Sequence, residues 1–175
     1  QKVELVTLVK DAIFIYPDRD EATKVIETLN ITIDGEEFET DLQGRELLQE
    51  ELTFTNEKPY VIYGYAAVPE NRKLTIEAGA RLHFHEDSGI IVFQNASINV
   101  NGAYSNNQEK LENEVIFESD RLEPLFSEIP GQWGTIWLFE GSTNNIINYT
   151  TIKNATIGIL CDGDPAGSND IFNPS

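Results

Sequence analysis

The pattern of apolar and polar positions changes character near residue 58. Before that point it is uneven. Residues 3–16 are strand material, β-branched and aromatic with partial alternation, and Pro17-Asp18-Arg19-Asp20 breaks the run. Residues 21–29 have some helical character, Asn30 to Gly35 predicts a short strand entering an Asp-Gly turn, and residues 45–52 read as one or two helical turns. We therefore divide this part into residues 1–16, the final strand or strands of a preceding β-sandwich, and residues 17–57, a linker or small irregular subdomain. From residue 58 to 175 short apolar runs follow one another, separated by Gly, Asn and Asp, with almost no helical signal. The expected strands are 60–68, 74–76, 81–85, 89–94, 97–100, 114–118, 134–139, 145–152 and 157–160.

Two all-β architectures accommodate such a pattern, an antiparallel sandwich and a parallel β-helix. Internal similarity separates them. Leu74-Thr75-Ile76-Glu77-Ala78-Gly79, Ser97-Ile98-Asn99-Val100-Asn101-Gly102 and, more loosely, Ile159-Leu160-Cys161-Asp162-Gly163 share one template. The pairs Ile76 and Ile98, Ile98 and Ile116, and Ile136 and Ile159 recur at about 18 to 23 residues, which suits one coil of a solenoid that stacks like on like. Inward positions would take Ile, Val, Leu and Phe. Corners would take Gly and Asn, which tolerate left-handed backbone. The predicted fold is all-β, a right-handed parallel β-helix preceded by the end of a β-sandwich and a linker.

Composition narrows the function. With 30 Asp and Glu against 12 Lys and Arg, the net charge is −18. Such a chain repels phosphate backbones and anionic headgroups, so nucleic acid is excluded as a partner. No run approaches the roughly 18 apolar residues of a membrane span. Cys161 is the sole cysteine, which rules out an intrachain disulfide and reads as a small buried apolar residue.

Several segments carry a family resemblance. They are Lys58-Pro59-Tyr60-Val61-Ile62-Tyr63-Gly64-Tyr65, residues 74–79, Phe117-Glu118-Ser119-Asp120-Arg121-Leu122-Glu123-Pro124, Ile129-Pro130-Gly131-Gln132-Trp133-Gly134 with 135–138, and Ile147-Asn148-Tyr149-Thr150-Thr151-Ile152-Lys153-Asn154-Ala155. Together, over residues 56–163, they resemble a family of uncharacterised surface lipoproteins of Bacteroidota that carry right-handed parallel β-helix repeats after an immunoglobulin-like sandwich. The resemblance implies export to the outer membrane and cell surface, a lipid anchor upstream of residue 1, and further coils after residue 175. It implies no assigned activity.

The candidate sites are few. His83 and His85 lie two apart in a strand and so face one side, where two imidazoles can share a transition metal; the alternative is two solvent-facing polar residues. Asp162, Asp164 and Asp170 have the flavour of a calcium loop, with a weak Ca²⁺ site as the one cofactor reading and a polar loop as the alternative. Residues 119–133 break the coil period with a charged excursion bearing apolar anchors. Arg121, Phe126 and Trp133 are its partner-binding candidates, Trp133 as an aromatic platform, set against packing of Phe126 and Trp133 onto the coil's flank. A glycan-active enzyme would need paired carboxylates on neighbouring coils, and Glu77 with Glu118 is the nearest such pair. The expectation is a non-catalytic surface scaffold that binds other envelope proteins or glycan. A polysaccharide lyase or glycosidase is the alternative.

Overall fold

The computed structural model describes residues 11–17 and 25–162. In chain order the strands are β1 (Ile13–Ile15), β2 (Val25–Ile33), β3 (Glu36–Glu46), β4 (Thr53–Phe54), β5 (Tyr60–Ile62), β6 (Tyr65–Val68), β7 (Lys73–Ile76) and β8 (Arg81–Phe84). They continue with β9 (Gly89–Val92), β10 (Ser97–Asn101), β11 (Val115–Ser119), β12 (Ile136–Leu138), β13 (Ile146–Asn148), β14 (Thr150–Ile152) and β15 (Ile159–Cys161). The chain is all-β with parallel sheets. The first sheet runs β1-β5-β8-β11-β14, the second β4-β7-β10-β13, and the third β3-β6-β9-β12-β15 with β2 added antiparallel at its edge. From β6 onward every strand pairs in parallel with the one three before it.

Register stacks like residues in columns. Tyr60, Leu82, Phe117 and Ile152 form one, and Phe54, Ile76, Val100 and Ile147 another. Ala66, Ile90 and Ile136 form a third. All of these inward side chains except Ile147 and Ile152 are buried in one apolar core. Phe84 stacks between Phe117 and Trp133, with ring centroids 6.1 and 4.2 Å away. The expected spacings match the observed pairing only in part. Ile98 pairs with Leu74 rather than Ile76, and Ile116 lies in the first sheet beside Arg81, whereas Ile136 does pair with Ile159. Ile76 and Ile98 are both inward residues of paired strands, two places out of register, and Ile116 belongs to another sheet, so like residues at a coil-like spacing need not be partners.

The corners follow the expected chemistry. Asn71, Asp87, Asn95, Asn144 and Asn154 have left-handed backbone. Gly64 splits the expected strand 60–68 into β5 and β6, and Tyr149, at φ 42°, splits 145–152 into β13 and β14.

The first part of the chain differs from expectation. Of residues 17–57, read as a linker or small irregular subdomain, residues 25–46 form a long antiparallel hairpin, and the helical character assigned to 21–29 gives way, from Val25 on, to β2. Asp34 (φ 52°) and Gly35 (φ 85°) both take positive φ, the geometry of a tight hairpin turn whose twist matches its strands. Eight cross-strand pairs between β2 and β3 outweigh the weak helical propensity of EATKVIETL. The turns expected in 45–52 reduce to one 3-10 turn, Gln49–Glu51. Here Glu51 takes two hydrogen bonds from Arg45, at 2.6 and 2.7 Å, and one from the Leu48 amide. The Arg45 guanidinium lowers the Glu51 carboxyl below its ordinary range. Within 1–16, Ile13–Ile15 hydrogen-bonds directly to β5 and belongs to the first parallel sheet; residues 1–10 lie outside the described residues. Cys161 is exposed rather than buried, although it continues the column of Val92 and Leu138.

Tyr65 crosses the third sheet where Gly89 and Gly134 leave room for its ring. A Cβ at Gly89 would meet the Thr135 carbonyl oxygen at 2.3 Å and a Tyr65 ring carbon at 2.5 Å. Gly89→Ala is therefore expected to destabilise the protein by about 1–3 kcal/mol, since a paired backbone cannot retreat. Denaturant unfolding checks this; an unchanged midpoint would contradict the register described for β6, β9 and β12.

Candidate interaction site

The outward face of the first sheet collects polar residues that are remote in sequence. His83 on β8 and His85 just past its end point outward as alternation requires, and Glu118 on β11 and Asp120 just past its end do the same one strand on. His85 Nδ1 lies 2.7 Å from Asp120 Oδ2, and its ring sits 4.7 Å from that of Tyr63. His83 Nδ1 is 3.5 Å from Glu118 Oε1, too far for a good hydrogen bond, and has no other partner. Glu118 instead takes the Lys153 ammonium at 2.8 Å. Burial pushes the His83 imidazole below its ordinary 6.5, against the raising effect of Glu118. Burial, and then the Asp120 charge, push the Tyr63 phenol up.

The two histidines therefore do share a face, as period-two geometry requires, but each turns to its own carboxylate. The solvent-facing alternative holds for His85 alone, because His83 is 7% exposed. Among the described residues no group of three or more His, Cys, Asp or Glu gathers to hold a metal. Asp162 accepts a hydrogen bond from the Trp137 indole at 2.9 Å, and Asp164 and Asp170 lie outside the described residues. Glu77 and Glu118 do not stack: Glu77 follows β7 of the second sheet, and Glu118 belongs to the first.

The excursion 119–133 leaves this same face. Trp133 is the correction here. It is 1% exposed, its ring lies against Phe84, and its indole donates to the Lys153 carbonyl at 2.9 Å. A platform must present its face to a ligand, and this ring is inside the core, so Trp133 anchors the excursion instead. Arg121 is exposed and lies 5.0 Å over the half-buried Phe126 ring, a cation–π contact. A 3-10 turn, Pro124–Phe126, holds Leu125 outward at 77% exposure. Side-chain amides then stitch the backbone down. Gln132 Nε2 donates to the Phe126 and Ile129 carbonyls at 2.6 Å each. Asn154 Nδ2, from the following corner, donates to Ser127 and Ile129 at 2.9 and 3.1 Å.

Two clefts border this loop. One, of about 180 Å³, lies between Arg121, Phe126, Ile129 and Glu86. The other, of about 370 Å³, runs from Gln132 and Asp87 to Thr40, Asp41 and Gln43 of the hairpin, with Tyr65 at its floor. They share Glu86 and Gln132 and so adjoin. Burial, then the Asp87 charge, raise the Tyr65 phenol. The hairpin wall, Glu86, Asp87 and Tyr65 escape sequence reasoning. The alternation of Phe38, Thr40 and Leu42 with Glu37, Glu39 and Asp41 was the available signal for that wall. Among the described residues no helix is long and apolar enough to cross a membrane. Compared with protein-family models, curated proteins and solved structures, the chain matches none.

Two outcomes follow. Trp133→Ala is expected to cost about 3–5 kcal/mol in denaturant unfolding, as for other fully buried large aromatics; a near-neutral effect would return Trp133 to the surface. Because His83 resists protonation when folded, the unfolded chain binds a proton near pH 6.5 that the folded chain accepts only at lower pH. Its contribution therefore destabilises the fold as pH falls from 6.5 to the folded-state value, and levels off below that. His83→Gln is expected to flatten that part of a thermal-midpoint profile between pH 8 and 5.

Proposed function

We propose that the stacked sheets form a right-handed parallel β-helix and that the chain serves as a non-catalytic, exported surface module. In this reading it is a lipoprotein-type scaffold of a bacterial outer membrane that presents the flank around residues 119–133 to other envelope proteins or to surface glycan. Parallel pairing of each strand with the third before it supports the helix, and the general handedness of parallel connections supports the hand. The resemblance described above supports the location. The observation that carries the functional reading is the stitched excursion. Gln132 and Asn154 clamp its backbone while Arg121, Leu125 and Ile129 remain exposed. A surface loop held in one conformation loses little entropy on binding, and an Arg on an aromatic ring among exposed apolar side chains is a composition that interfaces favour.

Arg121→Ala combined with Leu125→Ala is expected to abolish co-purification with solubilised envelope components, or retention on surface glycan, with the thermal midpoint little changed. Undiminished retention would remove the loop from the reading. The glycan-active alternative has one observation in its favour: Glu118 and Asp120 stand two apart on one face of β11 beside His83 and His85. Cleavage of a polysaccharide that Asp120→Asn eliminates would replace the scaffold reading.

A further inference from the structure

The outward face of the third sheet is unlike the rest of the surface. Pro69, Phe93, Phe139 and Asp162 follow β6, β9, β12 and β15 and lie one above another, with Phe93 N on the Val68 carbonyl, Phe139 N on the Val92 carbonyl and Asp162 N on the Leu138 carbonyl, at 3.3, 3.0 and 3.0 Å. Phe93 meets Phe139 edge-to-face at 5.3 Å, and Trp137 meets Phe139 at 5.0 Å. All three rings are only half-buried. They belong to a small apolar cluster of their own, separate from the main core and roofed on one side by Ile26 and Leu42 of the hairpin.

Beside them runs an open groove of about 720 Å³, bordered by Glu27 and Glu46 from the hairpin and by Glu70, Glu140 and Asp162 from successive levels. Among the described residues no Lys or Arg lines it. None of these five carboxylates forms an ion pair among the described residues.

We propose that this groove docks an extended basic polypeptide segment of another protein, its Lys or Arg side chains laid across the aromatic floor with their charged ends among the carboxylates. Charge complementarity selects the occupant. Cationic heads gain from aromatic faces and from several uncompensated carboxylates within a Debye length, while their aliphatic stems cover exposed ring carbon. Length selects an extended chain over a small amine. Four stacked levels span about 14 Å, the reach of roughly four to five extended residues, and alternate side chains of such a segment fall about 7 Å apart on one face. The protein's own residues 163–175 are poor occupants by the same rule, because they carry Asp164 and Asp170 and no Lys or Arg. The inference does not depend on the reading of residues 119–133, which leave the first sheet.

The probe is a fluorescein-labelled peptide of alternating Lys and Val, with alternating Gln and Val as its neutral counterpart, titrated into the full chain by anisotropy. The Lys peptide is expected to bind with an affinity that falls as salt rises, and the Gln peptide to bind far more weakly. A chain of charge −18 attracts any cation, so location is the decisive readout. Glu70→Gln with Glu140→Gln is expected to weaken binding roughly three- to tenfold. Glu36→Gln with Glu37→Gln, which removes the same charge at the exposed hairpin end, is expected to leave it unchanged. Phe93→Ala should weaken binding further, and Phe93→Tyr should restore most of it. Equal losses in the two carboxylate pairs, or equal binding of the neutral peptide, would overturn the proposal, as would preferential binding of a neutral glycan at this face.

Discussion

The constraint on which this protein depends is in-register parallel pairing between strands three apart in the chain. Each level is too small to bury an apolar face alone. It becomes stable only when its inward Leu, Ile, Val or Phe lands on the equivalent residue of the level before, as Leu82 lands on Tyr60 and Phe117 on Leu82. Backbone hydrogen bonds set the spacing and the apolar columns set the register, because a slip of one residue would turn each column outward. The glycines at tight approaches belong to this constraint. Gly89 lets Tyr65 lie flat across two levels where any Cβ would strike the Thr135 carbonyl oxygen.

What register does inside, it also does outside. The columns that bury Phe84 carry His85 and Asp120 to the opposite face, and those that bury Leu82 and Phe117 flank His83, Glu118 and Lys153. Pairs such as His85 and Asp120, 35 residues apart in sequence, meet at 2.7 Å because two equivalent positions of adjacent levels cannot avoid each other. The same vertical logic aligns Phe93 with Phe139 and sets carboxylates that form no ion pair among the described residues along one groove. A net charge of −18 is therefore not spread evenly. On the first sheet carboxylates meet cations and imidazoles. On the third they meet none among the described residues and surround aromatic rings instead.

The excursion 119–133 shows how an irregular segment becomes part of such a stack. Its final aromatic, Trp133, enters the core against Phe84, and two amide side chains, Gln132 and Asn154, satisfy the carbonyls that a non-helical, non-sheet segment leaves open. The side chains left over, Arg121, Leu125 and Ile129, are held outward on a backbone with little freedom to rearrange. Anchoring and presentation are assigned to different residues of one loop.

From its own order of residues the chain determined the class and the grain of the structure from residue 58 on: β-rich, with short strands, left-handed Asn and Gly corners, and almost no helical signal. These are local properties, governed by side-chain branching, by backbone sterics and by the alternation of apolar and polar positions. The resolution failed where partners decide. Residues 25–46 carry no strong local preference, and only β3 lying along β2 and β6 makes them strands. Trp133 reads either as an aromatic platform or as a residue packed on the flank until Phe84 is placed beside it. His83 and His85 look alike in sequence, yet His83, within β8 between Val61 and Glu118, is buried and His85, just past the strand's end, is half exposed. The groove along Phe93, Phe139 and Asp162 could not be read at all, since its members are neighbours only through the hydrogen bonds that join successive levels.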